Sequence, residues 1–312
     1  MGKWTTADIP SQAGKRALIT GANSGIGFHA ARHLAIAGCT VVLGCRDLSK
    51  GEQARQRIKQ ETPAADVELA ELDLASLESI HALADGYITA GKPLDLLINN
   101  AGVMALPTRQ LTKDGFERQF GTNHLGHFAL TGRLLPLLLA APAARIVTVS
   151  SIAHQSATMR FDDLQFETGY KPWAPYKQSK LANLLFAFEL QRRLENAGAK
   201  AISVAVHPGL SNTSIFKNGP GGSPGLKNYI APVFFKFAAQ TEEQGSFPTL
   251  YGATSPDAIG GGYYGPEGFL EWRGAPVEVA AKLHAHDQAA AARLWRVSEG
   301  LTDVRYTAID GD

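Results

Sequence analysis

RALITGANSGIGFHAARHLAIA, residues 16–37, decides the fold. It opens on a short apolar run, 16–20, crosses Gly21, Gly25 and Gly27, and continues over 24–37 with small and apolar residues at helical spacing. A glycine cluster between a strand and a helix is a phosphate-binding turn rather than an ordinary loop. Gly21 permits the tight turn, Gly25 lets the backbone approach a pyrophosphate, and Gly27 lets the helix pack on the sheet. The free N–H groups of Asn23, Ser24 and Ile26 at the helix start then face the anion.

The same alternation continues outward. Apolar strand runs at 40–44, 67–71, 94–99, 145–150 and 201–207 alternate with helical patterns at 48–61, 76–90, 115–140 and 174–196. Strands separated by helices of ten or more residues give right-handed βαβ units, and runs apolar throughout belong to a parallel sheet covered on both faces. The expected architecture is α/β: a doubly wound, Rossmann-type three-layer sandwich with a mostly parallel, seven-stranded sheet, the last short strand at 261–264. No internal repeat or low-complexity linker divides the 312 residues, so 1–312 reads as one domain. Beyond His207, the segment 211–240 reads as a substrate lid. Gly219, Gly221, Gly222 and Gly225 supply pliable backbone, and Ile230, Val233, Phe234, Phe235 and Phe237 supply an apolar wall. A C-terminal helical extension is expected at about 277–300.

Composition narrows the function. Net charge is +1, without the basic excess of a nucleic-acid binder. Cys39 and Cys45 are too few for a disulfide framework and read as reduced thiols of a cytoplasmic protein. The most apolar stretch, 134–144, is broken by Pro136 and Pro142, so no membrane span is expected. His284, His286 and Asp287 stand close in sequence but lack further clustered ligands, and no metal is expected.

The spacing Gly-x-x-x-Gly-x-Gly over 21–27 resembles that of the short-chain dehydrogenase/reductase family, and the likeness runs from about residue 14 to 270. The resemblance implies a nicotinamide cofactor. Arg46, closing the second strand, points to NADP(H) over NAD(H), although Asp47 follows one place later. Asp73 and Leu74 match the family pair beside adenine. Asn99-Asn100-Ala101-Gly102 matches the family motif that braces the sheet beside the cofactor. Pro208, Gly209 and Thr213 match the segment against the nicotinamide, and His207 reads as a structural strand-end residue.

Four residues carry the chemistry by resemblance: Asn123, Ser151, Tyr176 and Lys180. Tyr176 and Lys180, four apart on one helix, share a face. A phenol with pKa near 10 donates a proton to a carbonyl oxygen. A lysine cation at about 5 Å favours the phenolate by roughly 3 kcal/mol at an effective dielectric of about 20, about a hundredfold in its ionisation. Ser150 and Ser151 both qualify to bond the substrate oxygen, and the family pattern favours Ser151. Asn123 is expected to hold a water linking Lys180 to solvent.

Local strings at 44–52, 123–128, 149–154 and 179–183 resemble the branch holding retinol dehydrogenases, the WW-domain oxidoreductase and protochlorophyllide reductases. So does the long loop between Ser151 and Tyr176, with Phe161, Phe166, Tyr170 and Trp173. The resemblance implies NADP(H)-dependent hydride transfer to or from a carbonyl or alcohol of a medium-to-large apolar substrate. Reduction of a C=C bond on the same scaffold and a non-catalytic NADP(H)-binding sensor are the alternatives. Pairing into a homodimer is a further expectation.

Overall fold

The computed structural model describes residues 3–210 and 240–310. The strands are β1 (Arg16–Thr20), β2 (Thr40–Cys45), β3 (Val67–Glu71), β4 (Leu96–Asn99), β5 (Arg145–Val149), β6 (Ile202–Val206), β7 (Tyr263–Pro266) and β8 (Pro276–Glu278). The long helices are α1 (Gly25–Ile36), α2 (Leu48–Glu61), α3 (Leu77–Ala90), α4 (Gly126–Ala140), α5 (Trp173–Asn196), α6 (Phe247–Thr254) and α7 (Gln288–Thr302).

The sheet order is β3-β2-β1-β4-β5-β6-β7-β8. All pairings are parallel except β7 with β8. Eight strands among the described residues correct the expected seven. The eighth was hidden at 276–278, which sequence reading merged into the terminal helix. Its three residues are too few for a period-two pattern, and α7 itself starts only at Gln288, capped by the Asp287 carboxylate.

Alternate strand residues feed opposite layers. Leu18, Val42, Leu97 and Ile146 pack on one side with Ile80, Phe128, Phe186 and Trp295 from α3, α4, α5 and α7. Ala17, Ile19, Val41, Val147 and Val206 pack on the other with Phe28, Leu34, Ile58 and Leu250 from α1, α2 and α6. The chain winds outward from β1 in one direction and from β4 in the other. The crevice at the carboxyl ends of β1 and β4 is therefore the switch point where doubly wound sheets bind ligands.

The helix read over 115–140 runs from Arg118 to Ala140 and carries a wider turn inside it. A turn at Arg118–Phe120 leads into a π-helical turn at Gly121–Leu125 before α4 begins. An extra residue per turn is invisible to a 3.6-residue pattern, and such bulges concentrate at functional sites. The expected lid, 211–240, lies outside the described residues except for Gln240, as does Thr213. No described helix is long and apolar enough to cross a membrane.

Candidate functional site

A cavity of about 660 Å³ opens at the carboxyl ends of the strands. Its wall collects residues from all six parallel strand ends that precede β7: Thr20 and Gly21, Gly44 and Arg46, Leu72 to Leu74, Asn100 to Met104, Val149 to Ala153, and Pro208 to Leu210. Tyr176, Lys180 and Trp173 enter from α5. Sequence reading thus named most of one wall from motifs scattered over 190 positions.

At one end lies the glycine cradle. Gly21 and Gly25 have φ of +66° and +59°, the left-handed region that disfavours side chains. A Cβ on Gly27 would lie 2.5 Å from Asn100 Nδ2 and 2.7 Å from the Gly21 carbonyl oxygen, so this glycine is needed for helix against turn. Around Gly25 nothing stands closer than Glu242 Oε1 at 3.8 Å, which leaves open room. Ser24, the N-cap of α1, makes no side-chain cap bond, so the first-turn amides face the cavity without that partner. Positive φ, open room and free helical amides fit a dinucleotide pyrophosphate.

The acidic and basic candidates beside the cradle separate cleanly. Arg46 lines the cavity and is exposed. Asp47 caps α2, accepting the Lys50 N–H at 3.1 Å, and also pairs with the Lys50 ammonium. Asp73 Oδ1 accepts the Ala75 N–H at 3.0 Å, which fixes its carboxylate at the rim beside Leu74.

At the other end stand the polar groups of α5 and the β5 terminus. The Ser150 hydroxyl donates to the Lys180 carbonyl at 2.8 Å and is buried. Ser151 Oγ accepts the Ala153 N–H at 3.1 Å and also hydrogen-bonds Tyr176, with which it lines the cavity. Both serines line the cavity, Ser150 tied to the α5 backbone and Ser151 beside Tyr176. Lys180 Nζ donates to the Val149 carbonyl at 3.0 Å and lies 5.8 Å from the Tyr176 ring centroid. Burial pushes the lysine down to about 8.

The Tyr176 phenol is raised, because burial among protein atoms outweighs the hydrogen bond from Ser151.

Asn123 is fully buried and stands behind the cavity wall rather than on it. Its Oδ1 accepts the Val103 N–H at 2.8 Å, and its Nδ2 donates to the Val103 carbonyl and to Ser179 Oγ, each at 2.9 Å. Ser179 in turn donates to the Tyr176 carbonyl at 2.8 Å. The side chain therefore holds the loop after β4 to α5.

Asn99 and Asn100 brace the sheet as expected. Asn99 Nδ2 donates to Thr131 Oγ1 at 3.0 Å, and Asn100 Nδ2 to the Thr20 carbonyl at 2.8 Å. Pro208 and Gly209 line the cavity, and Gly209 is irreplaceable: a Cβ there would lie 2.4 Å from the Trp272 carbonyl oxygen. His207 is buried, accepts the Gly209 N–H at 3.2 Å, and faces Glu271 at 3.0 Å, close but poorly angled. His284 and His286 part company. The first donates to the His154 carbonyl, the second stacks on Phe188, and no metal-holding group exists among the described residues.

The long loop before α5 contributes less aromatic wall than its composition suggests. Trp173, 5.9 Å edge-on to Tyr176, lines the cavity. Phe166 turns into the core, Phe161 packs under Arg293, and Tyr170 donates to the Leu106 carbonyl. Residues that sequence reading missed are Thr20, Val103, Met104, Ile152, Ala153 and Leu210 on the wall, and Ser179 and His127 behind it. A signal did exist for Ser179. Buried polar residues (Gln178, Ser179, Lys180 and Asn183) on the inner face of α5 break its apolar pattern.

Comparison with known proteins places this architecture. The family model for short chain dehydrogenase matches residues 15–220. Human retinol dehydrogenase 13 is 39% identical over 312 residues, covering 98% of this chain and 90% of that protein. Human polyprenol dehydrogenase is 40% identical over 261 residues, covering 82% of this chain and 78% of that protein. A crystal structure of an uncharacterized protein from Mycobacterium paratuberculosis superposes with a TM-score of 0.81 at 42% identity, covering 98% of this chain and 99% of that one.

Proposed function

Since the chain belongs to the short chain dehydrogenase family and to its retinol dehydrogenase-like branch, we propose that it is an NADP(H)-dependent oxidoreductase acting on a carbonyl or alcohol of a medium-to-large apolar substrate. The observation that carries this reading is one cavity holding the glycine cradle at one end and Tyr176, Ser151 and Lys180 at the other. A nicotinamide dinucleotide bound there supplies or accepts the hydride. The cradle amides of α1 would hold its pyrophosphate, Asp73 and Leu74 would meet its adenine, and Pro208 and Gly209 its nicotinamide.

The chain's own groups handle the proton. Ser151 donates its hydroxyl hydrogen to the substrate oxygen and stabilises charge developing there. Tyr176 gives that oxygen a proton in reduction and takes it back in oxidation. Burial favours the neutral phenol, the form that reduction needs. Lys180, held by the Val149 carbonyl, stands beside the tyrosine as the cation that eases phenolate formation.

Two further points support the finer reading. Arg46 is free at the rim to meet a 2′-phosphate, whereas the Asp47 carboxylate is occupied in capping α2. Val103, Met104, Ile152, Trp173 and Leu210 make an apolar wall. It suits a substrate of the class to which the retinol and polyprenol named in two relatives belong.

The test is turnover of NADPH and of NADH with a panel of apolar aldehydes, ketones and enones. Faster oxidation of NADPH with aldehydes or ketones is expected. Turnover confined to enones establishes C=C reduction instead, and tight dinucleotide binding with no turnover on any substrate establishes a sensor.

A further inference from the structure

His127 sits on α4, fully buried, between the two halves of the site, and the mechanism above does not use it. Its Nε2 is 2.9 Å from Thr20 Oγ1, and its Nδ1 is 2.9 Å from the Asn123 carbonyl oxygen. Donor counting fixes the tautomer. Thr20 Oγ1 already accepts the Asn100 and Ala101 N–H groups, both at 2.9 Å, so both lone pairs are filled and its own hydrogen must be donated. The nearest acceptor is His127 Nε2, ahead of the Ile98 carbonyl at 3.4 Å. Nε2 is then bare, Nδ1 carries the proton, and that proton goes to Asn123. A carbonyl accepts only, so the other end of the chain demands the same tautomer.

The result is one unbroken chain of donors. It runs from the Asn100 and Ala101 amides to Thr20, from Thr20 to His127, and from His127 to Asn123. Thr20, Asn100 and Ala101 line the cofactor end of the cavity, whereas Asn123 holds Val103 and, through Ser179, the Tyr176 backbone. Burial keeps the ring neutral down to about 4, so the chain persists across the working pH range.

We propose that His127, as the neutral Nδ1–H tautomer, is a positioning residue. It ties the cofactor cradle at Thr20 to the Asn123 support of Tyr176, so that dinucleotide seating and placement of the acid/base are coupled. The proposal rests on the functional reading above. Hydrogen-bonded networks of this kind align groups through shared polarisation, and misplacing a reacting group by about 1 Å can cost a hundredfold in rate.

Two substitutions divide the ring's bonds. In His127→Gln, Oε1 takes the place of Nε2 and still accepts from Thr20, but nothing donates to Asn123. In His127→Asn, Nδ2 takes the place of Nδ1 and still donates to Asn123, but Thr20 loses its acceptor. The expected result is a split. His127→Gln loses about tenfold in kcat with the NADPH Kd within about threefold, and His127→Asn weakens Kd by about tenfold with the smaller change in kcat. Thermal melts confirm that both variants fold.

Nitrogen NMR of ¹⁵N-histidine wild-type protein supplies a measurement that needs neither turnover nor a folded variant. The His127 ring is expected to show a protonated Nδ1 and a bare Nε2, and both nitrogens are expected to shift when NADPH is added. A proton on Nε2, or resonances unmoved by saturating NADPH, overturns the proposal. So do variants that melt lower while kcat and Kd stay within about twofold of wild type, since that is packing alone. A wild type that binds NADPH without any turnover removes the functional reading, and the tautomer and Kd measurements still decide the coupling.

Discussion

Replacing Gly27 by alanine tests the packing half of the cradle. The new methyl would stand 2.5 Å from Asn100 Nδ2, 2.7 Å from the Gly21 carbonyl oxygen and 3.2 Å from Ala22 Cα. Two of these three are backbone atoms of the turn itself, so relief requires the turn to move by several tenths of an ångström. Overpacking of this kind costs about 1–3 kcal/mol. Displacing Asn100 weakens its 2.8 Å bond to the Thr20 carbonyl, a further loss of about 1 kcal/mol. Alanine returns about 1 kcal/mol as a better helix former. The net is a destabilisation of about 1–3 kcal/mol, a fall in melting temperature of about 1.5–5 °C for a chain of this length. Moving the Gly21 carbonyl also disturbs the amides meant for pyrophosphate, so NADPH affinity should drop at the same time. Gly25→Ala is the control. It meets no atom nearer than 3.8 Å, and its cost is the left-handed backbone alone, about 1–2 kcal/mol. The assays are a thermal melt and a fluorescence titration with NADPH. A Gly27→Ala protein that melts within 1 °C of wild type and binds NADPH equally would refute the assignment of this glycine to the helix–turn contact.

Three more outcomes follow from the same geometry. Arg46→Ala should weaken NADPH binding by about tenfold or more while NADH binding stays within about twofold, because only the former carries a 2′-phosphate. Equal losses for both, measured by titration, would remove Arg46 from cofactor choice. Stability should fall as pH drops below about 6.5. His124, His127 and His154 are held by burial at about 3, 4 and 4, below their ordinary 6.5, so the unfolded chain binds the extra protons first. Each contributes a slope of about 1.4 kcal/mol per pH unit until its folded value is reached, which denaturant melts at pH 7 and pH 5 would register. The rate of carbonyl reduction should decline as pH rises through about 8, where buried Lys180 gives up its proton and Tyr176 loses the neighbouring cation. A pH profile flat from 7 to 9.5 would contradict that role for Lys180.

Much of the site was legible because its chemistry demands residue types at short, fixed spacings. Gly21, Gly25 and Gly27 are set by one turn, and Tyr176 and Lys180 by one helical turn, so a linear pattern captures each. The eighth strand was not legible, since β8 is three residues long and its pairing depends on β7 rather than on its own sequence. The π-helical turn around Asn123 was missed for a related reason. One inserted residue barely changes an apolar pattern, yet it turns the Asn123 side chain toward Val103 and Ser179. The rise of the Tyr176 phenol was not legible because charge can be counted from sequence and burial cannot. Phe166 and Tyr170 look like Trp173 as letters, and only the fold sends them to the core and to the Leu106 carbonyl while Trp173 reaches the cavity.

The central claim is that Tyr176 moves the proton that accompanies hydride transfer in this cavity. Its most direct test is single-turnover oxidation of bound NADPH by a reducible apolar aldehyde or ketone, for wild type and Tyr176→Phe at equal cofactor saturation. The account predicts that the variant binds NADPH within about threefold of wild type and loses at least about a hundredfold in the chemical step. A variant that keeps the wild-type rate would show that the proton comes from another group, and would contradict the account.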